Sequence, residues 1–292
     1  MAAPMPRLVP VTRATRPFCC VLTRPRYRFA PLGGAWIPVG QDEDMDCGLH
    51  DRVFIVTAAS GGLGLAGARA LVAEGARTVL VARRRDALEE AVAELGADRA
   101  TALAADLSEA DTAQRAVEAA LGAWGRLDGA LVSVGGPPKG TVTGTTDAQW
   151  LGAFDSVFLA AVRIARAVLG ANGAARLGFV LSVSAKMPLA DMAPSNGLRP
   201  GLAMLVKQLS DEIAPAGGRA VGLMPGNIAT GRMIDLLGHE PTAEDARRAG
   251  IPMGRLGTPA EFGAVAAFLL SDAASYLTGC LVPVDGGMLR GL

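Results

Sequence analysis

From Arg52 onward the chain alternates between short runs of Val, Leu, Ile and Ala and longer stretches whose apolar residues recur at helical spacing. The short runs predict strands at 53–57, 78–82, 100–104, 130–134, 176–182, 219–224 and 280–284. The periodic stretches predict helices at 62–74, 85–95, 111–122, 146–169, 196–213 and 259–271. Strands that are apolar at successive positions, rather than at every second one, are covered on both faces. Strand–helix alternation of this kind requires right-handed crossovers. The pattern therefore predicts an α/β fold, a doubly wound parallel sheet of seven strands with helices on both faces. Two helix starts carry capping signals: Ser108 with nearby Asp111, and Thr258-Pro259-Ala260-Glu261, where Thr caps, Pro fits the first turn and Glu favours the dipole. Residues 1–44 show no strand or helix period, are rich in Pro and Arg, and end in Gln41-Asp42-Glu43-Asp44.

The first strand runs at once into Thr57-Ala58-Ala59-Ser60-Gly61-Gly62-Leu63-Gly64 and then an Ala-rich helix. A buried strand that ends in a glycine-rich turn and opens a helix lets backbone amides approach a pyrophosphate, with the positive end of the helix dipole behind them. The turn is read as a dinucleotide shelf, with Ala58 in place of the first glycine of Gly-x-x-x-Gly-x-Gly and a ligand-free tight turn as the alternative. At the end of the second strand stands Ala82-Arg83-Arg84-Arg85, with no acid. A carboxylate there accepts from a ribose 2′-hydroxyl and selects NAD, whereas arginine pairs with a 2′-phosphate. Arg83 and Arg84 thus predict NADP in preference to NAD; the alternative is a solvated basic start to a surface helix.

Half of the 292 residues are apolar and only 4% are aromatic, as Ala/Val/Leu-rich helices on a parallel sheet require. The formal charge is zero, so no basic field argues for nucleic acid. Six arginines and three acids fall within 1–44, which leaves the remainder mildly acidic. Cys19, Cys20, Cys47 and Cys280 have neither metal-ligand spacing nor the density of a disulfide scaffold. No metal site is predicted, and His50 and His239 are read as surface residues. No run approaches the ~20 apolar residues of a membrane span, and the N-terminus lacks the apolar core of a secretory signal. The expectation is a cytoplasmic protein with residues 1–44 as a disordered extension: a targeting peptide, a regulatory arm, or sequence upstream of the true start. The last of these leaves a dispensable segment before Met45.

Taken together the landmarks from Met45 to Leu292 resemble the short-chain dehydrogenase/reductase family, with its Rossmann-type fold, and within it the 3-oxoacyl-ACP reductases. The C-terminal stretch carries the resemblance most specifically: Arg255-Leu256-Gly257-Thr258-Pro259-Ala260-Glu261, Tyr276-Leu277-Thr278-Gly279 and Val284-Asp285-Gly286-Gly287. In the family this region contributes to a subunit interface, which implies a homo-oligomer, dimer or tetramer. Pro225-Gly226-Asn227-Ile228-Ala229-Thr230 matches the loop that holds the nicotinamide carboxamide, so Pro225, Gly226, Ile228 and Thr230 are expected at the cofactor. The resemblance likewise places Asp106 and Leu107 at the adenine, and Ser133 and Gly135 beside the nucleotide after the fourth strand.

The family reduces a carbonyl with a Tyr proton donor, a Lys four residues later, a Ser thirteen residues before the Tyr and an Asn on the preceding long helix. In register, the Ser is Ser182, but the other three positions hold Ser195, Arg199 and Val157. The chain resembles an atypical branch in which Ser-Asn-x-x-Arg replaces Tyr-x-x-x-Lys and Ser182-Val183-Ser184-Ala185-Lys186-Met187-Pro188 takes the form Ser-x-Ser-x-Lys-x-Pro. A serine is a far weaker acid than a phenol, and a guanidinium keeps its proton. Arg199 can still bond the nicotinamide ribose and place charge beneath a developing alkoxide. Lys186, and after it Lys139, are alternative proton carriers if partly buried, and ordinary loop lysines if not. Ser195 is expected to cap the helix that begins near it, and Ser184 and Asn196 to supply pocket polarity. Met233 to Leu237 reads as a lid over a small or elongated substrate. The reading that follows is NADP-dependent oxidoreduction of a carbonyl or alcohol on a small, acyl or polyketide-like molecule with altered proton delivery. Redox-neutral isomerisation, dehydration or cyclisation, and non-catalytic nucleotide binding, remain the alternatives.

Overall fold

Seven strands lie in the order β3-β2-β1-β4-β5-β6-β7, every neighbouring pair parallel, in a computed structural model that describes residues 47–291. They are β1 (Val53–Thr57), β2 (Arg77–Ala82), β3 (Ala100–Ala104), β4 (Gly129–Val132), β5 (Arg176–Val180), β6 (Arg219–Pro225) and β7 (Leu281–Val284). The chain partitions after Asp44, and the expected extension lies outside the described residues. Side-chain alternation along each buried strand divides the core into two layers. Val53, Ile55, Val79, Val81, Ala130 and Val132 face one layer, and Phe54, Val56, Leu80 and Leu131 the other.

The first layer is completed by α3 (Thr112–Trp124), α5 (Ala160–Ala171) and α6 (Ala193–Ile213), the second by α1 (Gly62–Ala73), α2 (Arg85–Leu95) and α9 (Pro259–Leu270). Three further helices are short: α4 (Asp147–Ala153), α7 (Gly231–Leu237) and α8 (Ala243–Arg248). The Thr258 capping box at α9 is present, with Pro259 in the first turn. Ser108 does not cap α3; its N–H and hydroxyl both donate to Asp106, at 2.9 and 2.8 Å, so the serine closes a local turn instead. The single helix anticipated over 146–169 is broken by a π-helical segment at Phe154–Leu159, a one-residue widening that leaves the apolar period almost unchanged. No described helix is long and apolar enough to cross a membrane.

Two local devices shape the sheet's edges. At the N-terminal edge, the Asp128 carboxylate accepts from the Val53 N–H at 2.8 Å, from Arg126 at 2.8 and 2.6 Å, and from Arg52 at 3.0 Å. Burial opposes its ionisation, but these donors prevail and hold the carboxyl below its ordinary value of 3.8. At the C-terminal edge, β1 turns into α1 through Ala58 at φ 49°, in the left-handed region that favours glycine.

Asp128→Asn is expected to lower stability at pH 7 by about 3 kcal/mol. A depressed folded-state pKa contributes stability above the unfolded value and loses it as the pH falls through the folded one. The wild-type stability loss below about pH 4 should therefore flatten in the variant, as read by denaturant titration across pH. Ala58→Gly relieves the left-handed backbone and should raise stability by about 1 kcal/mol. A lower denaturant midpoint would show that the alanine methyl contributes more than its strain costs.

Candidate active site

The glycine turn is an open cradle because of what surrounds it. A Cβ on Gly64 would lie 2.6 Å from the Ala58 carbonyl, so only glycine lets α1 start this close to the end of β1. Gly61 caps α1 with no side-chain hydrogen bond, which leaves the first amides of a twelve-residue helix facing outward. A methyl added to Gly61 would meet nothing nearer than Arg84 Nη2, at 3.7 Å, and one added to Gly62 nothing nearer than Thr230 Cγ2, at 3.9 Å. An open, amide-lined shelf between a guanidinium and a threonine suits a dinucleotide phosphate. Leu63 is half-buried against the core beneath it.

Of the two arginines singled out in the sequence, Arg84 is the one on the turn. Its Nη2 donates to the Ser60 carbonyl at 3.0 Å and lies 3.5 Å from the Ser60 hydroxyl. Arg83 is 80% exposed and reaches only to 3.9 Å from Asp106. Hydrogen bonds from the Ser108 backbone and hydroxyl, ahead of Arg83, hold Asp106 below the usual carboxylate range. Leu107 packs on the core next to it. Thr57 Oγ1 donates to the Ser133 carbonyl at 2.5 Å, which ties the ends of β1 and β4 together, and Gly135 is exposed beyond that tie.

On the far side of the cleft β6 ends at Pro225, and Gly226 follows with its N–H on Val284 O at 3.1 Å. Ile228 bridges to Gly257, which fixes the loop against the C-terminal segment. Thr230 caps α7, accepting from Met233 N at 3.3 Å. The α7 residue Arg232 then donates to the carbonyls of Gly136 and Pro137, both at 3.2 Å. A Cβ on Gly136 would collide with the Arg232 guanidinium, so this contact depends on a glycine across the cleft. Nothing in the local sequence announced Arg232; its partners lie more than ninety residues away.

Between these walls sits a hydroxyl–guanidinium cluster. Ser182 is half-buried just beyond β5, and its Oγ accepts from Ser184 N at 3.1 Å, leaving its proton free to donate. Ser184 and Ser195 are buried with their hydroxyls 2.9 Å apart. The expected cap role of Ser195 is therefore corrected: α6 starts earlier, at Ala193, and Ser195 points into the protein from its first turn. Asn196 instead pairs with both backbone groups of Leu189, at 3.0 and 2.8 Å. Arg199 is 5% exposed and donates through Nη1 to Val180 O, the last carbonyl of β5, at 2.7 Å. Its Nε is buried with no partner. Burial, helped by the nearby Arg232, lowers the guanidinium to about 10, still charged at neutral pH. Lys186 and Lys139 are both exposed, so the partial burial required of a proton-carrying lysine is absent at each. Val157 is buried within the π-helical segment. Among the described residues no cluster could hold a metal ion.

Residues 57–289 match a family described as enoyl-(acyl carrier protein) reductase. Galactitol 2-dehydrogenase (L-tagatose-forming) of Cereibacter sphaeroides is 35% identical over 80% of this chain and 92% of its own length. Among solved structures, a Pseudomonas aeruginosa PAO1 short-chain oxidoreductase described as containing an atypical catalytic centre superposes in its NADPH-bound form with a TM-score of 0.78 at 28% identity, covering 83% of this chain and 100% of that one. L-sorbose reductase of Gluconobacter frateurii, complexed with NADPH and L-sorbose, gives a TM-score of 0.77 at 28% identity over 85% of this chain and 100% of the other. On the breadth of the family match and of the relative above 30% identity, the chain belongs to the short-chain dehydrogenase/reductase family.

Proposed function

We propose that this protein is an NADP-dependent oxidoreductase that reduces a carbonyl, or oxidises the matching alcohol, on a small, acyl or polyketide-like substrate without a tyrosine proton donor. The observation that carries the reading is the sharing of one sheet edge by two features: the open cradle at Gly61, Gly62 and Arg84, and the Ser182–Arg199 cluster. The residues fit the cofactor: amides and a helix N-terminus for the pyrophosphate, Arg84 for a 2′-phosphate, and the Thr230 loop facing Gly62 across the cleft. Relatives solved with NADPH support the same choice. By resemblance the working unit is a cytoplasmic dimer or tetramer.

A bound nicotinamide supplies the hydride. Ser182 donates a hydrogen bond to the substrate oxygen and polarises the carbonyl, its own lone pair already occupied by the Ser184 amide. Arg199 stays charged and lowers the energy of the developing alkoxide without giving up its proton. The alkoxide proton comes from solvent, because Ser182, Ser195 and Arg199 include no phenol and Lys186 lies exposed at the surface. The same lack of a phenol–lysine relay favours, as a second reading, redox-neutral isomerisation or dehydration on this scaffold; consumption of NADPH with a carbonyl panel separates the two.

Arg84→Ala is expected to weaken NADPH binding by about tenfold or more while leaving NADH unchanged, as read by nucleotide fluorescence. Equal losses for both nucleotides would contradict the NADP assignment. Ser182→Ala should lower kcat by about 100-fold with NADPH affinity retained. An unchanged kcat would remove Ser182 from the chemistry.

A further inference from the structure

Arg199 poses an electrostatic problem that the fold leaves open. A buried guanidinium is ordinarily matched by a carboxylate, because desolvating an uncompensated charge is costly. Here the one charged group that shifts Arg199 is Arg232, a second cation. Among the described residues neither guanidinium is ion-paired, and Asp235, three residues along α7, is exposed and pairs with no arginine. Arg199 commits one nitrogen to Val180 O and keeps a buried, unpartnered Nε. Arg232 lies on the open side and commits two nitrogens to the Gly136 and Pro137 carbonyls, which leaves its remaining N–H donors available.

The nucleotide's own phosphates do not resolve this for Arg199. Arg84 follows β2, whereas Arg199 lies against the end of β5, and β1 and β4 stand between them. At ~4.8 Å per strand the two sites are about 14 Å apart. The pyrophosphate shelf at the start of α1 follows β1, two strands from β5. A nicotinamide ribose offers neutral hydroxyls, which can bond to a guanidinium but cannot neutralise it.

We propose that Arg199 and Arg232 form an anion clamp for the substrate, so that the molecule reduced carries a carboxylate or a phosphate ester close to its carbonyl. The inference rests on the oxidoreductase reading and narrows its substrate class to oxo acids or phosphorylated carbonyl compounds. Charge-assisted donors on two sides of the anion hold the carbonyl beside Ser182. Arg232 crosses the cleft from α7 to the loop after β4, and Arg199 lies against the end of the neighbouring strand β5.

The test is calorimetric and needs no turnover. NADPH-loaded protein is titrated with pyruvate and 3-oxobutanoate, with their methyl esters, and with glyceraldehyde 3-phosphate against glyceraldehyde. In at least one series the anion should bind tighter than its neutral partner by roughly tenfold or more. A preference for the acids identifies a carboxylate, and one for the phosphate identifies a phosphate ester. Arg232→Gln, at an exposed position, should collapse that ratio, as should Arg199→Met if it folds; Arg232→Lys should restore part of it. A merely structural role would weaken anion and neutral partner alike and leave the ratio unchanged. Equal binding of anion and neutral partner in every series, or a ratio unaltered in Arg232→Gln, overturns the clamp. Failure of NADPH itself to bind counts against the cofactor reading instead, and the same ratio is then required of the protein without nucleotide.

Discussion

The position of α1 against the end of β1 governs the rest of this molecule. Gly64 admits the helix to within contact of the Ala58 and Thr57 carbonyls, and any side chain there would push it away. That close approach aims the helix's unbonded amides at the C-terminal edge of the sheet, where every parallel strand delivers its loop. The Thr57–Ser133 hydrogen bond and the Arg84–Ser60 contact then close the cradle from two sides. The chain accepts a left-handed alanine to keep this geometry, so the turn's shape is held by its surroundings rather than by local preference.

Beyond β5, serines and a guanidinium stand where the resemblance would place the family's phenol and ammonium. A phenol and an ammonium exchange protons; two serines and a guanidinium do not. The Ser184–Ser195 pair fills the buried space with a satisfied polar contact, and Arg199 turns its charge onto the end of β5. On the proposed reading, these residues supply orientation and charge stabilisation, and solvent supplies the proton. Arg199 and Arg232 bring two cations to this edge, and among the described residues neither is ion-paired.

The sheet was legible in the sequence because strands buried on both faces are continuous apolar runs, and each of the seven lies within a residue or two of its expected span. β4 and β5 end earlier than expected, at Val132 and Val180, where Ser133 and Ser182 leave the ladder to make site contacts. The π-helical segment stayed hidden because a single extra residue per turn barely disturbs helical periodicity. At the site, local signals served well for the glycine turn and for Ser182. They failed for Ser195, since Pro194 is compatible with an earlier helix start that turns the serine inward. They failed also for Arg232, whose partners follow β4, and for Lys186, whose exposure depends on how the turn after β5 lies.

The central claim is that hydride transfer survives the loss of the phenol and the lysine. The most direct measurement follows deuterium from NADPH labelled at the nicotinamide C4 into the products of a carbonyl panel that includes oxo acids. One deuterium is expected on the new carbinol carbon, with one equivalent of NADPH oxidised per product. Product formed without label and without nucleotide oxidation would contradict the claim.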